Sequence, residues 1–181
     1  RGMMKRFLAE SLKELMLQKS FEKITIKQIC DKTGVIRATF YNYFEDKYAA
    51  LSYIIYLDTV ETALPYIEKR QFLQAVKAML DNFVENREFY QIAFRITGQN
   101  SFEDLFEENV QQLFTEMFRR YGRPEKLGTM SEEELAGYFG NSLCYTVNHW
   151  LCRSRGMDSE TFLKQYGSVV TSSIFDFLDM P

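Results

Sequence analysis

Apolar residues recur every three or four positions through almost the whole chain, and this periodicity is the strongest constraint on the fold. In the last third, Phe162, Tyr166, Val169, Val170 and Phe177 follow one another at helical spacing. Only 3 of the 181 residues are proline, so few positions break a helix, and no segment shows the alternation of a half-buried strand. The pattern predicts an all-α chain of about nine helices and argues against a fold based on a β-sheet.

Helix caps mark where the individual helices begin and end. Thr25 and Gln28 have the spacing of a capping box, Gly34 is suited to a left-handed helix end, and Asp46 can cap the helix that follows. Pro65 either kinks or ends that fourth helix, and the pattern leaves both outcomes open. The predicted helices cover roughly residues 3–18, 26–33, 36–43, 46–56 or beyond, 71–86, 87–96, 101–121, 131–153 and 159–178.

The chain has few side chains that could support catalysis or bind a metal ion. His149 is the single histidine, and the three cysteines, Cys30, Cys144 and Cys152, are too scattered for a disulfide framework. On one helix, Cys144 and Cys152 would lie roughly 12 Å apart, which is too far for one zinc ion. The sequence contains no glycine-rich phosphate loop. We therefore expect a protein that is not an enzyme and binds no metal ion or cofactor.

Charge is distributed unequally along the chain. Residues 1–50 carry 10 Lys+Arg against 6 Asp+Glu, whereas residues 51–181 carry 12 against 19. This asymmetry favours a polyanion-binding head on a body that does not bind polyanions, although chance is an alternative explanation. No apolar run approaches the ~18 residues of a membrane span, and the start shows no secretory signal, so a cytoplasmic location is expected.

The segment 25–47 has the organisation of a helix-turn-helix. A capped helix is followed by a glycine turn and a second short helix, which Val35 and Phe40 can pin against the first. The opposite side of the second helix then carries small and polar side chains. Arg37 can reach guanine or phosphate, and the small Ala38 allows the helix to approach base edges closely.

At these residues the chain resembles the TetR family of bacterial transcriptional regulators. The family pattern T-[LF]-Y-x-[YH]-F, two polar residues and K matches Thr39–Lys47 throughout, and the resemblance covers residues 5–50. That run and the stretch ENREFYQIAF are similar to the branch that includes regulators of dihydroxyacetone kinase operons. The resemblance implies a helix-turn-helix DNA-binding domain at 1–48 and a helical regulatory and dimerisation domain at 49–181.

The resemblance also implies roles for individual residues of the helix-turn-helix. The implied phosphate contacts are Thr25, Tyr41, Tyr43 and Lys47, and the residues implied at or near base edges are Arg37, Ala38, Thr39 and Asn42. Ile36 departs from the family, which usually has a polar N-cap such as serine there. An apolar β-branched residue cannot cap, at a cost of about 1 kcal/mol, so we expect a recognition helix that frays without DNA.

The aromatic residues that follow the helix-turn-helix in the sequence suggest a cavity for an effector, as in the regulatory domains of the family. The candidate ligand contacts are Phe83, Phe94, Phe114, Met117, Phe118, Tyr121, Tyr145 and His149. Ordinary core packing is the alternative for each of them, and a place in an interface is a further alternative for His149. Tyrosine and histidine are the better ligand contacts, because their polar atoms need partners when buried.

The last two predicted helices are candidates for a dimer interface. Small and apolar positions define it, namely Gly140, Val147, Val170, Ile174 and Phe177. The resemblance implies a four-helix bundle across a two-fold axis, whereas burial within one chain is the alternative. A symmetric dimer would read a pseudo-palindromic duplex operator, with the recognition helices about 34–36 Å apart. The function implied is a repressor released by a small effector. The alternative is a DNA-binding regulator, with activators included, that is controlled by a protein partner.

Overall fold

The computed structural model describes residues 2–123, 125, 129–153, 156–172 and 174–177, and gives only the backbone of residues 174 and 175. Within these ranges the chain is helical and contains no strand, which confirms the predicted all-α fold. The α-helices are α1 (Gly2–Met16), α2 (Ile26–Thr33), α3 (Arg37–Tyr41), α4 (Lys47–Tyr56), α5 (Thr62–Ile67), α6 (Phe72–Glu85), α7 (Arg87–Ala93), α8 (Phe102–Tyr121), α9 (Glu132–Arg153) and α10 (Ser159–Thr171). Short 3-10 helices cover Phe21–Lys23 and Ile174–Phe177, and a π-helical turn, Leu57–Glu61, joins α4 to α5. The described part has nine helices when α4, the π-turn and α5 are counted as one.

The predicted caps explain why most helix ends agree with the sequence pattern. Thr25 Oγ1 accepts a hydrogen bond from the Gln28 N–H at 3.3 Å, and Gln28 Oε1 accepts one from the Thr25 N–H at 3.0 Å. Gly34 ends α2 with a φ of 77°, a conformation that side chains disfavour. Asp46 Oδ1 accepts from the Ala49 N–H at 2.8 Å and thereby caps α4. All four predicted cap residues are confirmed.

The helix continues through Pro65, and the helical turn just before the proline is a wider π-turn. Proline lacks an N–H, and its ring conflicts with the carbonyl four residues earlier, which here belongs to Glu61. The π-turn ends at that residue, and the helix then continues to Ile67. The Thr62 hydroxyl donates to the Leu57 carbonyl oxygen at 2.9 Å, which satisfies a backbone group inside the widened turn.

The last helix is shorter than predicted. It ends at Thr171, and Ser172 is extended with φ −101° and ψ 150°. The Thr171 and Ser172 hydroxyls donate to the carbonyl oxygens of Gly167 and Ser168 at 2.8 and 2.7 Å. Such side-chain bonds compete with the helical backbone pattern, and a separate 3-10 turn follows at Ile174–Phe177.

The chain divides into a head, formed by α1–α3 with the start of α4, and a body formed by α5–α10. In the head, α1 packs against α2 and α4, and Phe40 of α3 is completely buried. In the body, α8 packs along α9, and α6 packs against α5 and α10. The head meets the body where α1 contacts α7 and where α4 packs against α8. The position of α3 relative to the body therefore depends on α1 and α4.

Candidate nucleic-acid interface

The recognition helix α3 separates its core residues from an exposed surface. Phe40 is 0% exposed and Phe44 is 4% exposed, and their ring centroids lie 5.5 Å apart. Tyr41 is 56% exposed, although it adjoins Phe40 in sequence. Of the other predicted contacts on or after this helix, Arg37, Ala38 and Asn42 are exposed, and Thr39 and Tyr43 are half-buried. The buried side of the helix therefore packs on the core of the head, and its other side is accessible to a binding partner.

Ile36 precedes this helix and makes no capping bond with its side chain, as the sequence predicts. The helix itself covers only Arg37–Tyr41, and the Ile36 side chain is 72% exposed. An apolar side chain beside Arg37 on the exposed surface can contact the methyl group of thymine. The sequence predicts a lost cap and a fraying helix at this position, and the same departure from a polar residue is the sequence signal for an apolar contact.

Thr25 stands at the exposed start of α2. Its hydroxyl oxygen accepts the Gln28 N–H, so its O–H hydrogen remains available for a second partner. The first N–H groups of a helix carry a partial positive charge. The site therefore suits a phosphate oxygen, in agreement with the implied role.

Lys47 is the first residue of α4, where the resemblance implies a phosphate contact. Its ammonium donates to the carbonyl oxygens of Phe21 at 2.8 Å, Glu22 at 3.1 Å and Ile24 at 3.1 Å. These three bonds use all the hydrogens of an ammonium group. Burial lowers the pKa of Lys47, and the carboxylates of Glu22 and Asp46 oppose that shift. The structure thus gives Lys47 an intramolecular role, as a cap on the turn between α1 and α2, in place of a free cation for phosphate.

Two other lysines of the head were not singled out by the motif. Lys27, in the first turn of α2, is exposed and has no ion-pair partner among the described residues. Lys5 of α1 lines a cleft of about 520 Å³ together with Asn42 and Tyr43. Its ammonium lies 4.1 Å from the ring centroid of Tyr53. The net positive charge of residues 1–50 was the only sequence signal for them.

An apolar cavity of about 490 Å³ lies in the body, between the start of α6, the end of α8 and the start of α9. Its lining consists of Phe72, Met117, Phe118, Tyr121, Gly122, Arg123, Leu135 and Phe139. Three predicted ligand contacts, Met117, Phe118 and Tyr121, are thus brought together in one wall. Phe114 does not line this cavity; its ring packs 6.2 Å from that of Phe118.

Two predicted ligand contacts belong to a packed aromatic core instead. Phe83 is 0% exposed, and its ring centroid lies 4.8 Å from Tyr90 and 5.5 Å from Phe106. Phe94 packs edge-on against Phe102 at 4.9 Å. Interlocked rings at these distances leave no space for a ligand. The aromatic residues that suggested a roomy cavity therefore fill much of the body themselves.

The remaining two predicted ligand contacts, Tyr145 and His149, lie on the surface. Tyr145 is 71% exposed, and the His149 ring stacks beside it at a centroid distance of 6.4 Å. Both occupy the exposed side of α9, and neither lines the cavity. Of the alternatives for His149, this position is compatible with an interface but not with a pocket or a core.

Two family models match this chain. One is described as "Bacterial regulatory proteins, tetR family" and matches residues 10–53, and the other, "Transcriptional regulator C-terminal region", matches residues 70–172. The second match alone covers more than half of the chain. The chain belongs to the TetR family of bacterial transcriptional regulators. It is not an enzyme, as the sequence predicts, and no helix in its described part is long and apolar enough to cross a membrane.

Among TetR-family proteins, the chain is similar to the HTH-type dhaKLM operon transcriptional activator DhaS of Lactococcus lactis subsp. lactis (strain IL1403). The two are 29% identical over 101 residues, which are 56% of this chain and 53% of that protein. The match thus spans about half the length of this curated relative. It confirms the predicted likeness to the branch of dihydroxyacetone kinase operon regulators.

Solved structures of TetR-family proteins share the fold over nearly the full chain. The structure of the dihydroxyacetone kinase operon activator DhaS superposes with a TM-score of 0.69 at 21% identity, covering 94% of this chain and 95% of that chain. A putative TetR-family regulator from Syntrophomonas wolfei gives 0.68 at 16% identity, covering 93% of each chain. Thermus thermophilus FadR, a repressor in complex with lauroyl-CoA, gives 0.62 at 15% identity, covering 92% of each.

In this TetR-family chain, two of the predicted dimer residues are buried inside the protomer. A Cβ atom on Gly140 would lie only 2.9 Å from Gln111 Cγ, so the glycine serves the close approach of α9 to α8. Val147 is 0% exposed. The interface prediction is corrected at both positions, because the face of α9 that carries them is already covered by the same chain.

A different face of α9, together with α10 and the final 3-10 turn, exposes large apolar side chains. Its members and their exposed fractions are Tyr138 at 68%, Tyr145 at 71%, Val169 at 57%, Val170 at 36% and Phe177 at 59%. Val170 and Phe177 were predicted interface residues and belong to this face. The predicted contact of Ile174 lies outside what the structure describes, since only its backbone is given.

Proposed function

We propose that this TetR-family regulator is a homodimer that binds a specific duplex operator through the exposed surface of α3. The observation that carries the proposal is the separation on this helix between buried Phe40 and the exposed Arg37, Tyr41 and Asn42. Residues 1–48 act as the DNA-binding domain and residues 49–181 as the regulatory and dimerisation domain. Its place of action is the cytoplasm, where bacterial DNA lies.

The proposed contacts follow from side-chain chemistry and exposure. Thr25, Tyr41 and Tyr43 present hydroxyl groups for phosphate oxygens and fix the register of the helix. The residues proposed to approach base edges are Arg37, Ala38, Thr39 and Asn42, with Ile36 as an added apolar contact. Lys27 takes the role of a phosphate-binding cation, because Lys47 is committed to backbone carbonyls.

The exposed apolar face of α9 and α10 is the proposed dimer interface. Tyr145, His149 and Val169 lie on this face with the other exposed residues described above. Several large apolar side chains exposed on neighbouring elements of one chain commonly mark a protein–protein contact. A two-fold axis between two copies of α9 and α10 would create a four-helix bundle and would place two heads on one side of the dimer.

The cavity beside Met117, Phe118 and Tyr121 is the proposed effector site. Its apolar walls and the neighbouring Arg123 are typical of small-molecule pockets, which combine apolar lining with few polar groups. An effector shifts the protein off DNA only if it binds the non-DNA conformation more tightly. We propose that this regulator represses transcription and is released by such an effector.

Selection of the purified protein against a random duplex library tests the DNA-binding proposal. Enrichment of a two-fold-symmetric site is expected for a sequence-specific dimer. Tyr41→Ala should weaken binding to every enriched sequence and leave the dimer intact. Tyr66→Ala is the matched control, because Tyr66 of α5 is an exposed tyrosine outside the proposed interface. Loss of the dimer in Tyr41→Ala, or no enrichment by the folded dimer, would contradict the proposal.

A second proposal is a transcriptional activator that is controlled by a protein partner. Two observations favour it. The similar protein DhaS is named an operon activator, and Phe83 and Phe94 fill the body where a larger cavity was expected. A thermal-shift screen with apolar small molecules separates the two proposals. Stabilisation that is lost in Phe118→Ala supports the effector site, whereas no stabilisation by any compound supports the partner-controlled activator.

A further inference from the structure

A cluster of polar side chains joins the head to the body at the π-turn. The Lys13 ammonium of α1 lies 3.3 Å from Asp58 Oδ2 in the π-turn. Tyr90 of α7 donates its O–H to the same oxygen at 2.8 Å. Asn82 of α6 donates to the Asp58 carbonyl oxygen at 3.3 Å and to Thr62 Oγ1 at 2.8 Å. Elements of the head and of the body therefore meet at Asp58.

This cluster is largely shielded from water. The Lys13 and Asp58 side chains are only 12% and 16% exposed, and Tyr90 is 0% exposed. The Lys13 ammonium also lies 5.2 Å from the ring centroid of Phe89. Burial, and then the Asp58 carboxylate, raise the pKa of Tyr90 well above its ordinary value, so its hydroxyl keeps the proton that it donates. Charged groups in such surroundings are costly to separate, which restricts the arrangements the cluster can adopt.

A second cation of α1 pairs with the same π-turn at the surface. The Arg6 guanidinium bonds the Glu61 carboxylate, and these side chains are 51% and 42% exposed. Exposed pairs contribute little, because water and salt screen them. Each pair joins a cation of α1 to a carboxylate of the π-turn, but only the Lys13–Asp58 pair is shielded from water and bonded to the body. Arg6 and Glu61 therefore provide a matched control for Lys13 and Asp58.

The π-turn is a suitable place for a positioning contact. A π-turn adds one residue to a helical turn, which shifts the residues after it by about 100° around the helix axis. The turn therefore sets how far α5 is rotated about the helix axis relative to α4. Helix α4 packs on α1 of the head, and α5 packs on α6 of the body. A side chain that ties this turn to both units controls how they are oriented.

We propose that Asp58 is a positioning residue that fixes the orientation of the head on the body, through Lys13 on one side and Tyr90 on the other. The proposal rests on the function proposed above, since a dimer reads two half-sites at one separation. When the cluster is intact, the head holds one orientation, and the two recognition helices match one half-site spacing. When the cluster is broken, the head samples several orientations, and operators of different spacing are discriminated less well.

Pulsed electron paramagnetic resonance can measure the distance between head and body without DNA. Spin labels would be attached at Lys27→Cys in α2 and Gln74→Cys in α6, both exposed positions. Cys152→Ser removes the exposed native thiol, and Cys30 and Cys144 are buried. Labelled chains would be diluted into unlabelled protein, so that only distances within one chain are recorded. Circular dichroism would establish that each variant is folded.

We expect a single narrow distance distribution in the protein with its native cluster. Asp58→Asn, which keeps the shape and removes the charge, should broaden the distribution or add a second distance. Tyr90→Phe should do the same and removes only one hydroxyl group, so it decides the question if Asp58→Asn does not fold. The Glu61→Gln control should superimpose on the native distribution. Unchanged distributions in the folded Asp58→Asn and Tyr90→Phe variants would overturn the proposal.

Binding to duplexes with altered half-site spacing links this geometry to function. The native protein should prefer one spacing over duplexes longer or shorter by one base pair. In Asp58→Asn this preference should fall by about fivefold or more, the lower range of coupling between distant sites, while Glu61→Gln keeps it. A loss of thermal stability with an unchanged spacing preference would make the cluster merely structural. A native protein that binds no symmetric duplex contradicts the proposed function, whereas the distance measurement still decides the role of Asp58.

Discussion

Replacing Lys47 with methionine distinguishes two roles for this lysine, an intramolecular cap and a phosphate contact. Methionine keeps the apolar stem and removes the three hydrogen bonds to the carbonyl oxygens of Phe21, Glu22 and Ile24. The bond to Glu22 is exposed, so water can replace it, whereas the other two carbonyl groups are partly buried. An unsatisfied buried carbonyl costs about 1–3 kcal/mol, and partial burial lowers that figure. We expect Lys47→Met to lower the free energy of unfolding by about 2 kcal/mol.

Urea denaturation followed by circular dichroism measures this loss. With a denaturant slope of about 2 kcal/mol/M, the midpoint should fall by about 1 M. Lys47→Arg should not restore it, because a planar guanidinium cannot point three hydrogens at one compact group of carbonyl oxygens. If Lys47 bound phosphate instead, arginine would be a good substitute in DNA binding.

The salt dependence of DNA affinity gives the decisive comparison. Each phosphate contact contributes about 0.9 to the slope of log affinity against log salt, so one contact in each protomer contributes about 1.8. We expect Lys47→Met to leave this slope unchanged, although its affinity falls because the head is less stable. Lys27→Met should make the slope shallower by about 1.8. A Lys47→Met protein with native stability and a shallower slope would refute the assignment of Lys47 as a cap.

Four further substitutions test the packing of the body and the proposed dimer interface. Gly140→Leu should lower the free energy of unfolding by about 1–3 kcal/mol without changing the dimer dissociation constant, because the added side chain meets α8 of the same chain. Gly137→Ala is its control, since no atom lies within 4 Å of the added Cβ, and it should stabilise the helix by up to about 1 kcal/mol. Phe83→Ala should cost about 3–5 kcal/mol in thermal or urea unfolding and leave the affinity of any cavity ligand unchanged. Tyr145→Asp, at an exposed position, should raise the dimer dissociation constant in analytical ultracentrifugation and leave monomer stability within about 0.5 kcal/mol of the native value. An equal loss of dimer in Gly140→Leu, or an unchanged dimer in Tyr145→Asp, would contradict the proposed interface.

Short-range features of this chain were predictable because their partners lie within one helical turn. The capping box of Thr25 and Gln28 joins residues three apart, and Gly34 needs only its own backbone conformation. Phe40 was expected in the core and Tyr41 outside it, because adjacent positions on a helix point in different directions. The helix-turn-helix and its family resemblance follow from such local relations.

Residues of the body were predicted less well, because their surroundings come from distant parts of the chain. Aromatic side chains at helical spacing fit a cavity wall and a packed core equally, and only the crossing of α6, α7 and α8 places Phe83 among other rings. The sequence of α9 is ambiguous in a similar way, because its periodicity gives two faces that could each pack against another helix. Contact with α8 assigns Gly140 and Val147 to the inside of the protomer and leaves Tyr145 outside.

Local spacing, caps and hydrophobic periodicity are enough to predict the all-α fold, most helix ends and the helix-turn-helix segment. The tertiary structure was needed to establish that Lys47 caps the turn between α1 and α2, because its carbonyl partners lie more than 20 residues away. It likewise decided that Pro65 follows a π-turn and that Asp58 meets Lys13 and Tyr90 there. A proline requires a local departure from the α-helix, but the packing of neighbouring helices selects which departure is stable.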